Sequence, residues 1–167
     1  MWVRSASEAD LLAVHALLVE TWHSTCDDIL GRELVDTITG SWHSVEALRR
    51  NLRKPYSEFV VADSGDGGID GMAFACQDTE EKASLLQLYV RPTKQLQGLG
   101  TMLLEEVEMA FPGVKTMTLE VIERNEAALR FYKRKGYVAT GRTEDWGALN
   151  CSEPVLKMEK SLEGWSL

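Results

Sequence analysis

Two glycines set between an extended run and a helical run constrain this chain more than any other feature. Gln95-Leu96-Gln97-Gly98-Leu99-Gly100-Thr101 follows Ala83-Ser84-Leu85-Leu86-Gln87-Leu88-Tyr89-Val90, a mostly apolar stretch that Pro92 ends. Leu99, Leu103, Val107, Ala110 and Phe111 then recur at helical spacing through an otherwise acidic segment. A strand, a glycine-bearing loop and a helix in that order build an anion site. The first N–H groups of a helix have no intrahelical partner, and the helix dipole adds partial positive charge there. Gly98 and Gly100 lack a Cβ, so a pyrophosphate can approach the main chain closely. The segment is not a P-loop, because no lysine precedes Thr101. Nor is it the dinucleotide fingerprint, because Met102 and Leu103 follow where a third glycine is needed. Taken alone, the loop could equally be a tight turn capping a strand.

The flanking sequence supplies the rest of the order. Trp2-Val3-Arg4 reads as a first strand, and Ser7 or Asp10 caps a helix whose Leu11, Val14, Leu18 and Trp22 share one face. A second helical region spans about Glu33 to Asn51 in two pieces, broken near Gly40-Ser41-Trp42 with Ser44 capping the second. Ser57 to Asp63 and Ile69 to Cys76 are strands joined by the turn Ser64-Gly65-Asp66-Gly67-Gly68. Lys115 to Ile122 alternates and is β-rich. Asn125 then caps a helix that ends in Lys133-Arg134-Lys135, with Gly136 at its C′ position. Tyr137 to Arg142 and Pro154 to Met158 are two final strands. No repeat, low-complexity segment or linker interrupts this order, so residues 1–167 form a single domain.

Composition excludes several classes. The chain has 167 residues, 44% hydrophobic and 26% charged, enough for one sizeable core. No apolar run approaches the roughly 20 residues that span a bilayer, and Met1-Trp2-Val3-Arg4-Ser5 has no signal-peptide character. Cys26, Cys76 and Cys151 are scattered without metal or disulfide spacing, which favours buried thiols in a reducing cytoplasm. A net charge of −8 argues against nucleic acid and anionic membranes as partners and mildly favours a cationic one. His15, His23 and His43 show no metal spacing and read as structural histidines, one of them lining a pocket being the alternative.

Val90-Arg91-Pro92, the loop Gln95 to Thr101 and Asn125-x-x-Ala128-x-x-Phe131-Tyr132-x-x-x-Gly136-Tyr137 together resemble the Gcn5-related N-acetyltransferase (GNAT) superfamily. The resemblance covers about residues 2–160. It implies an α/β fold with a mixed, mostly antiparallel central sheet flanked by helices, in which a splayed strand pair holds acetyl-CoA. It implies that Leu88, Tyr89 and Val90 offer backbone groups to the pantetheine arm and acetyl carbonyl. The loop residues Gln95, Leu96, Gln97, Gly98, Leu99, Gly100 and Thr101 would hold the pyrophosphate. Asn125 and Ala128 would meet the cofactor arm, and Tyr132 would be the general acid that protonates the leaving thiolate. A phenol with a reference pKa near ~10 carries its proton at neutral pH. Each has a plainer rival: Asn125 as a helix cap, Tyr132 as a core aromatic beside Phe131. Arg124, Arg130, Lys133, Arg134 and Lys135 could meet a cofactor phosphate, but read as a solvated basic helix end and are left out of the site.

One departure concerns the base. Many relatives carry a glutamate on the strand before the loop, whereas this stretch is Ser84-Leu85-Leu86-Gln87. Glu120 or a water chain is the substitute, and the base stays unassigned. By resemblance the acceptor pocket is shaped by about Thr21 to Trp42 and Thr143 to Cys151. Val19 to Thr25 loosely resembles bacterial spermidine/spermine acetyltransferases, so the expected acceptor is a primary amine of a polyamine, another cationic small molecule, or a protein or peptide. Homodimers are common in the family. A catalytically silent acyl-CoA sensor or partner-binding module of the same fold is the alternative function. No metal is expected.

Overall fold

The structure is a computed structural model and describes residues 1–144 and 153–163. Among these residues the chain forms β1 (Trp2–Ser5), α1 (Leu11–Leu30), α2 (Arg32–Ser41), α3 (Val45–Arg53), β2 (Ser57–Asp63), β3 (Ile69–Gln77) and β4 (Lys82–Val90). It continues with α4 (Leu99–Met109), β5 (Thr116–Ile122), α5 (Glu126–Arg134), β6 (Val138–Thr143) and β7 (Val155–Ser161). The seven strands make one sheet in the order β1-β2-β3-β4-β5-β7-β6. Every neighbouring pair is antiparallel except β4 and β5. This is the mixed, mostly antiparallel sheet flanked by helices that the motifs led us to expect.

Local chemistry explains most boundaries. Buried Leu11, Val14, Leu18, Trp22 and Cys26 give α1 its inward stripe, and Gly31, at φ +87°, turns the chain out of it. Ser44 Oγ accepts the Ala47 N–H at 3.1 Å and starts α3. Ser64 N–H donates to Gly68 O at 3.0 Å across the β2–β3 turn, where Gly65 and Gly67 take positive φ. The last strand runs to Ser161, past the expected Met158, because β7 lies between β5 and β6 and bonds to both. Its charged residues hide the hydrophobic alternation there. The chain is still pinned beyond it: Leu162 is buried and donates its N–H to Lys115 O at 2.8 Å. Residues 164–167, including Trp165, lie outside the described residues, as do Trp146 and Cys151. Cys26 and Cys76 are buried free thiols, and no described helix is long and apolar enough to cross a membrane.

The sheet is covered on both faces, so β3 reads as an almost unbroken apolar run rather than an alternating one. Ala73 and Ala75 pack with Leu99, Leu103 and Val107 of α4, while Met72, Phe74 and Cys76 pack with α1 and α2. Complete burial of α4 leucines such as Leu103 and Leu104 contributes about 1.5–3 kcal/mol each.

Two irregularities prepare the site. The β4–β5 pair holds only from Lys82↔Thr116 to Leu85↔Leu119, after which the strands part. Across β4's other edge, Phe74 pairs with Gln87 but Ala75 with Leu85, so Leu86 is an extra, bulged residue. The bulge puts Gln87 and Tyr89 on the α1–α3 face beside Phe74 and Met72, and Leu88 on the α4 face beside Ala73.

Candidate active site

Where β4 and β5 part, a cavity of about 880 Å³ opens into the sheet, within the range of small-molecule sites. Leu88, Tyr89 and Val90 line it from β4, on the edge that β5 has left unpaired. The loop supplies Gln95, Leu96, Gly98, Leu99, Gly100 and Thr101, and the facing wall carries Asn125, Ala128 and Tyr132. Gln97 is the exception among the expected residues: it is exposed to solvent and does not line the cavity.

The loop has the strand-to-helix geometry that its two glycines led us to expect, with one refinement. Gly98 caps α4 at φ +84°, and Met102 N–H makes the first intrahelical bond, to Gly98 O at 3.1 Å. The N–H groups of Leu99, Gly100 and Thr101 are therefore those the helix leaves over. The two glycines answer different demands. A Cβ on Gly98 would meet nothing within 4 Å, so that position needs glycine for its backbone angle. A Cβ on Gly100 would come within 3.3 Å of the Phe131 ring, so that position needs glycine for space. Leu96 also takes positive φ, +64°, at the exposed loop tip, and Gln95 Nε2 donates to Val90 O at 3.1 Å, tying the loop to the strand end.

Charge converges on this cavity although the chain is acidic. Lys94, Arg134, Lys135 and Lys157 line it, against one carboxylate, Glu120, among the described residues. Arg134 and Lys135 thus belong to the site's wall, contrary to their reading as a merely solvated helix end. The fold brings the end of α5 back beside the start of α4, which no local pattern reports. Arg124 and Arg130 do behave as surface residues, pairing with Glu153 at 2.9 Å and Glu126 at 3.9 Å. Glu120 projects from the opposite face to Leu119 and Val121, as strand alternation requires, and reaches the cavity while remaining exposed.

Asn125 is a helix cap, its side chain accepting the Ala128 N–H at 3.3 Å, and it also lines the cavity. Tyr132 packs against Phe131 (5.3 Å between ring centroids) and Tyr137 (5.7 Å). Burial pushes its phenol above the ordinary range, so the group holds its proton throughout neutral pH.

The far end of the cavity comes from α1 and the α2–α3 junction. Thr21, Trp22, Thr25 and Cys26 line it, with Trp42 and His43. Of the two segments expected to shape an acceptor pocket, the first contributes Thr21, Trp22, Thr25, Cys26 and Trp42 to the cavity wall; most of 143–151 lies outside the described residues. Trp22, His43 and Tyr89 form an aromatic corner with centroid separations of 5.3, 6.0 and 6.1 Å. His15 and His23 are structural, as read: His15 Nδ1 lies 2.7 Å from His43 O, and His23 sits between Asp27 and Asp36 at 2.7 and 2.9 Å. His43 departs from that reading. Its ring is buried on the cavity wall, Nδ1 lies 3.1 Å from Gln87 Nε2, and desolvation, then His15, pushes its pKa down to about 4. His43 carries no motif. Gln87 had one signal, as a polar residue within an apolar strand, and it marked only a missing carboxylate.

The family model described as Acetyltransferase (GNAT) domain matches residues 55–139, from just before β2 into β6. A probable N-acetyltransferase of Mycobacterium tuberculosis is 28% identical over 151 residues, 89% of this chain and 86% of its own length. The peptidyl-lysine N-acetyltransferase YjaB of Salmonella typhimurium is 40% identical over 57 residues, 34% of this chain and 37% of that one. Among solved structures, the PaiA N-acetyltransferase of Thermoplasma acidophilum in complex with coenzyme A superposes with a TM-score of 0.83. At 24% identity over 96% of this chain and 98% of that one, the match is one of fold. The model match spans half of the chain and includes β4, the glycine loop and α5, so the chain belongs to the GNAT acetyltransferase family.

Proposed function

We propose that this chain is an acetyl-CoA-dependent N-acetyltransferase that acts on a primary amine, with Tyr132 as general acid. The observation that carries the reading is the convergence, in one cavity, of the leftover α4 N–H groups, four cationic side chains and a protonated phenol. These residues fit an acyl-CoA. The N–H groups of Leu99, Gly100 and Thr101 are arranged for a pyrophosphate. Lys94, Arg134, Lys135 and Lys157 supply the charge that a polyphosphorylated donor needs. The unpaired edge of β4 from Leu88 to Val90 offers main-chain groups to an amide-bearing arm. That the PaiA neighbour holds coenzyme A supports the same assignment.

Acetyl-CoA, as the acyl donor, supplies a thioester whose carbonyl an amine can attack. Tyr132 holds a proton that it delivers to the leaving sulfur, and the walls from α1 and β4 exclude water from that exchange. The acceptor enters past Trp22, Trp42 and Tyr89, where its body meets aromatic rings. The chain's acidity lies mainly away from the described cavity wall, which supports an amine on a compact or peptide-like body over a long polycation. The test is thiol release from acetyl-CoA across polyamines, amino sugars, amino acids and lysine-bearing peptides. Amine-dependent release is expected, and bound acetyl-CoA with no release for any amine would make the chain a binding module instead.

A further inference from the structure

His43 and Gln87 are 44 residues apart in sequence, yet they form a buried polar pair on the cavity wall. His43 is 5% exposed and Gln87 7%. His43 Nε2 and Gln87 Oε1 have no hydrogen-bond partner among the described residues. Leaving a buried polar atom unpaired is costly, so a purely structural histidine uses both ring nitrogens. His23 meets that description through Asp27 and Asp36, and His43 does not.

The backbone around His43 is anchored. Its carbonyl oxygen lies 2.7 Å from His15 Nδ1, and its ring is held between Trp22 and Tyr89. Tyr89 lines the same cavity as Tyr132. A primary amide can present either a donor or an acceptor to Nδ1 by turning end for end. With Gln87 Oε1 accepting from Nδ1–H, the lone pair of Nε2 is left without a partner among the described residues, on a side chain that lines the cavity.

We infer that His43, oriented by Gln87, accepts the proton given up by the acceptor amine during acetyl transfer. This rests on the acetyltransferase reading above. The amine nitrogen bonds to the acetyl carbon as the carbon–sulfur bond breaks. The nitrogen's surplus proton passes to His43 Nε2, and Tyr132 gives its proton to the thiolate. His43 then loses a proton to solvent, and Tyr132 regains one. The low proton affinity of the buried ring keeps it neutral, and so ready, at neutral pH. The titratable groups around it are His15 on α1 and Tyr89 on β4, with Glu120 the carboxylate on the same cavity wall; Trp22 and Gln87 are neutral.

The experiment uses hydrazine as a small acceptor that needs no complementary pocket, in His43→Ala and Gln87→Glu. His43→Ala is expected to lower kcat about 100-fold or more while acetyl-CoA affinity holds, with added imidazole restoring part of the loss. Gln87→Glu should stabilise the imidazolium and move the acidic limb of kcat/KM toward neutral pH. Nitrogen-15 spectra of the His43 ring should follow the same shift without any turnover. A His43→Ala protein within about threefold of native kcat would overturn the inference. So would a His43 resonance whose titration is the same in native protein and Gln87→Glu. A native protein that binds acetyl-CoA but turns over no amine refutes the acetyltransferase reading, while the spectra still decide whether His43 takes a proton under Gln87's control.

Discussion

A side chain on Gly100 would stand against Phe131, its Cβ 3.3 Å from Cζ and 3.4 Å from Cε2. The start of α4 and the middle of α5 therefore touch through a missing methyl group. Phe131 is the neighbour of Tyr132 in both sequence and space, so the glycine in the first turn of α4 also lets the proposed acid take its place.

Gly100→Val should push Phe131 aside at a cost of about 1–3 kcal/mol and lower acetyl-CoA affinity and kcat together. Gly98→Ala meets open space and should cost about 1–2 kcal/mol through its left-handed backbone alone. Urea melts and calorimetric titration with acetyl-CoA separate the two. A Gly100→Val protein as stable and as tight-binding as native would remove Phe131 from the account.

Tyr132→Phe keeps the ring contacts with Phe131 and Tyr137 and removes only the hydroxyl. Turnover should fall about 100-fold or more with acetyl-CoA binding unchanged. Because the phenol is raised, loss of activity from its ionisation should begin only at a higher pH than for an ordinary tyrosine. A pH–rate profile of the native protein reads this, and full activity in the Phe variant would transfer the acid role elsewhere.

Arg4 ties the first strand to the chain around it, with Nη1 and Nη2 each 2.9 Å from Asp10 and Nε 2.9 Å from Asp63. Arg4 foremost holds the Asp10 carboxyl down at about 2, aided by the Ser7 N–H at 2.8 Å. A depressed carboxyl stabilises the fold above its unfolded pKa and loses that contribution as pH falls through the folded value. Asp10→Asn should cost about 1–3 kcal/mol at neutral pH. The gap from native should close between roughly pH 4 and 2, as measured by denaturant melts; a gap constant over that range would contradict the pairing.

Glu108 is buried on α4, and Lys160 of β7 reaches it at 2.7 Å. Desolvation raises the Glu108 pKa against the pull of Lys160. Removing the cation with Lys160→Met should destabilise the protein by about 3–5 kcal/mol, because the carboxylate stays buried without it. A raised carboxyl gains stability as pH falls through its folded pKa, so the defect should shrink under mild acid. Melts at two pH values check it; an equal defect at both would mean that lost packing of the lysine stem dominates.

Sequence patterns local to a few residues carried far. Ser44 and Asn125 cap the helices expected of them, the Ser64–Gly68 turn joins its two strands, and Gly98 opens α4. Such features follow from backbone angles and from N–H groups that must find partners within one turn of chain, so neighbouring residues suffice to encode them. The motif order then led to the sheet and to most of the cavity's lining.

Position in space decided the rest. Nothing near Leu85 or Leu119 announces that β4 and β5 separate there, because separation depends on what packs against both strands. Gln87 reads as a residue lacking charge until the Leu86 bulge turns it toward His43. Arg134 and Lys135 read as a solvated helix end until α5 folds back beside Lys94 and the loop. The sequence by itself determined the elements, their order, the glycine loop between β4 and α4 and the family they resemble. Only the tertiary structure decided which distant side chains share the cavity, because burial and charge at a site are sums over residues that the chain brings together from far apart.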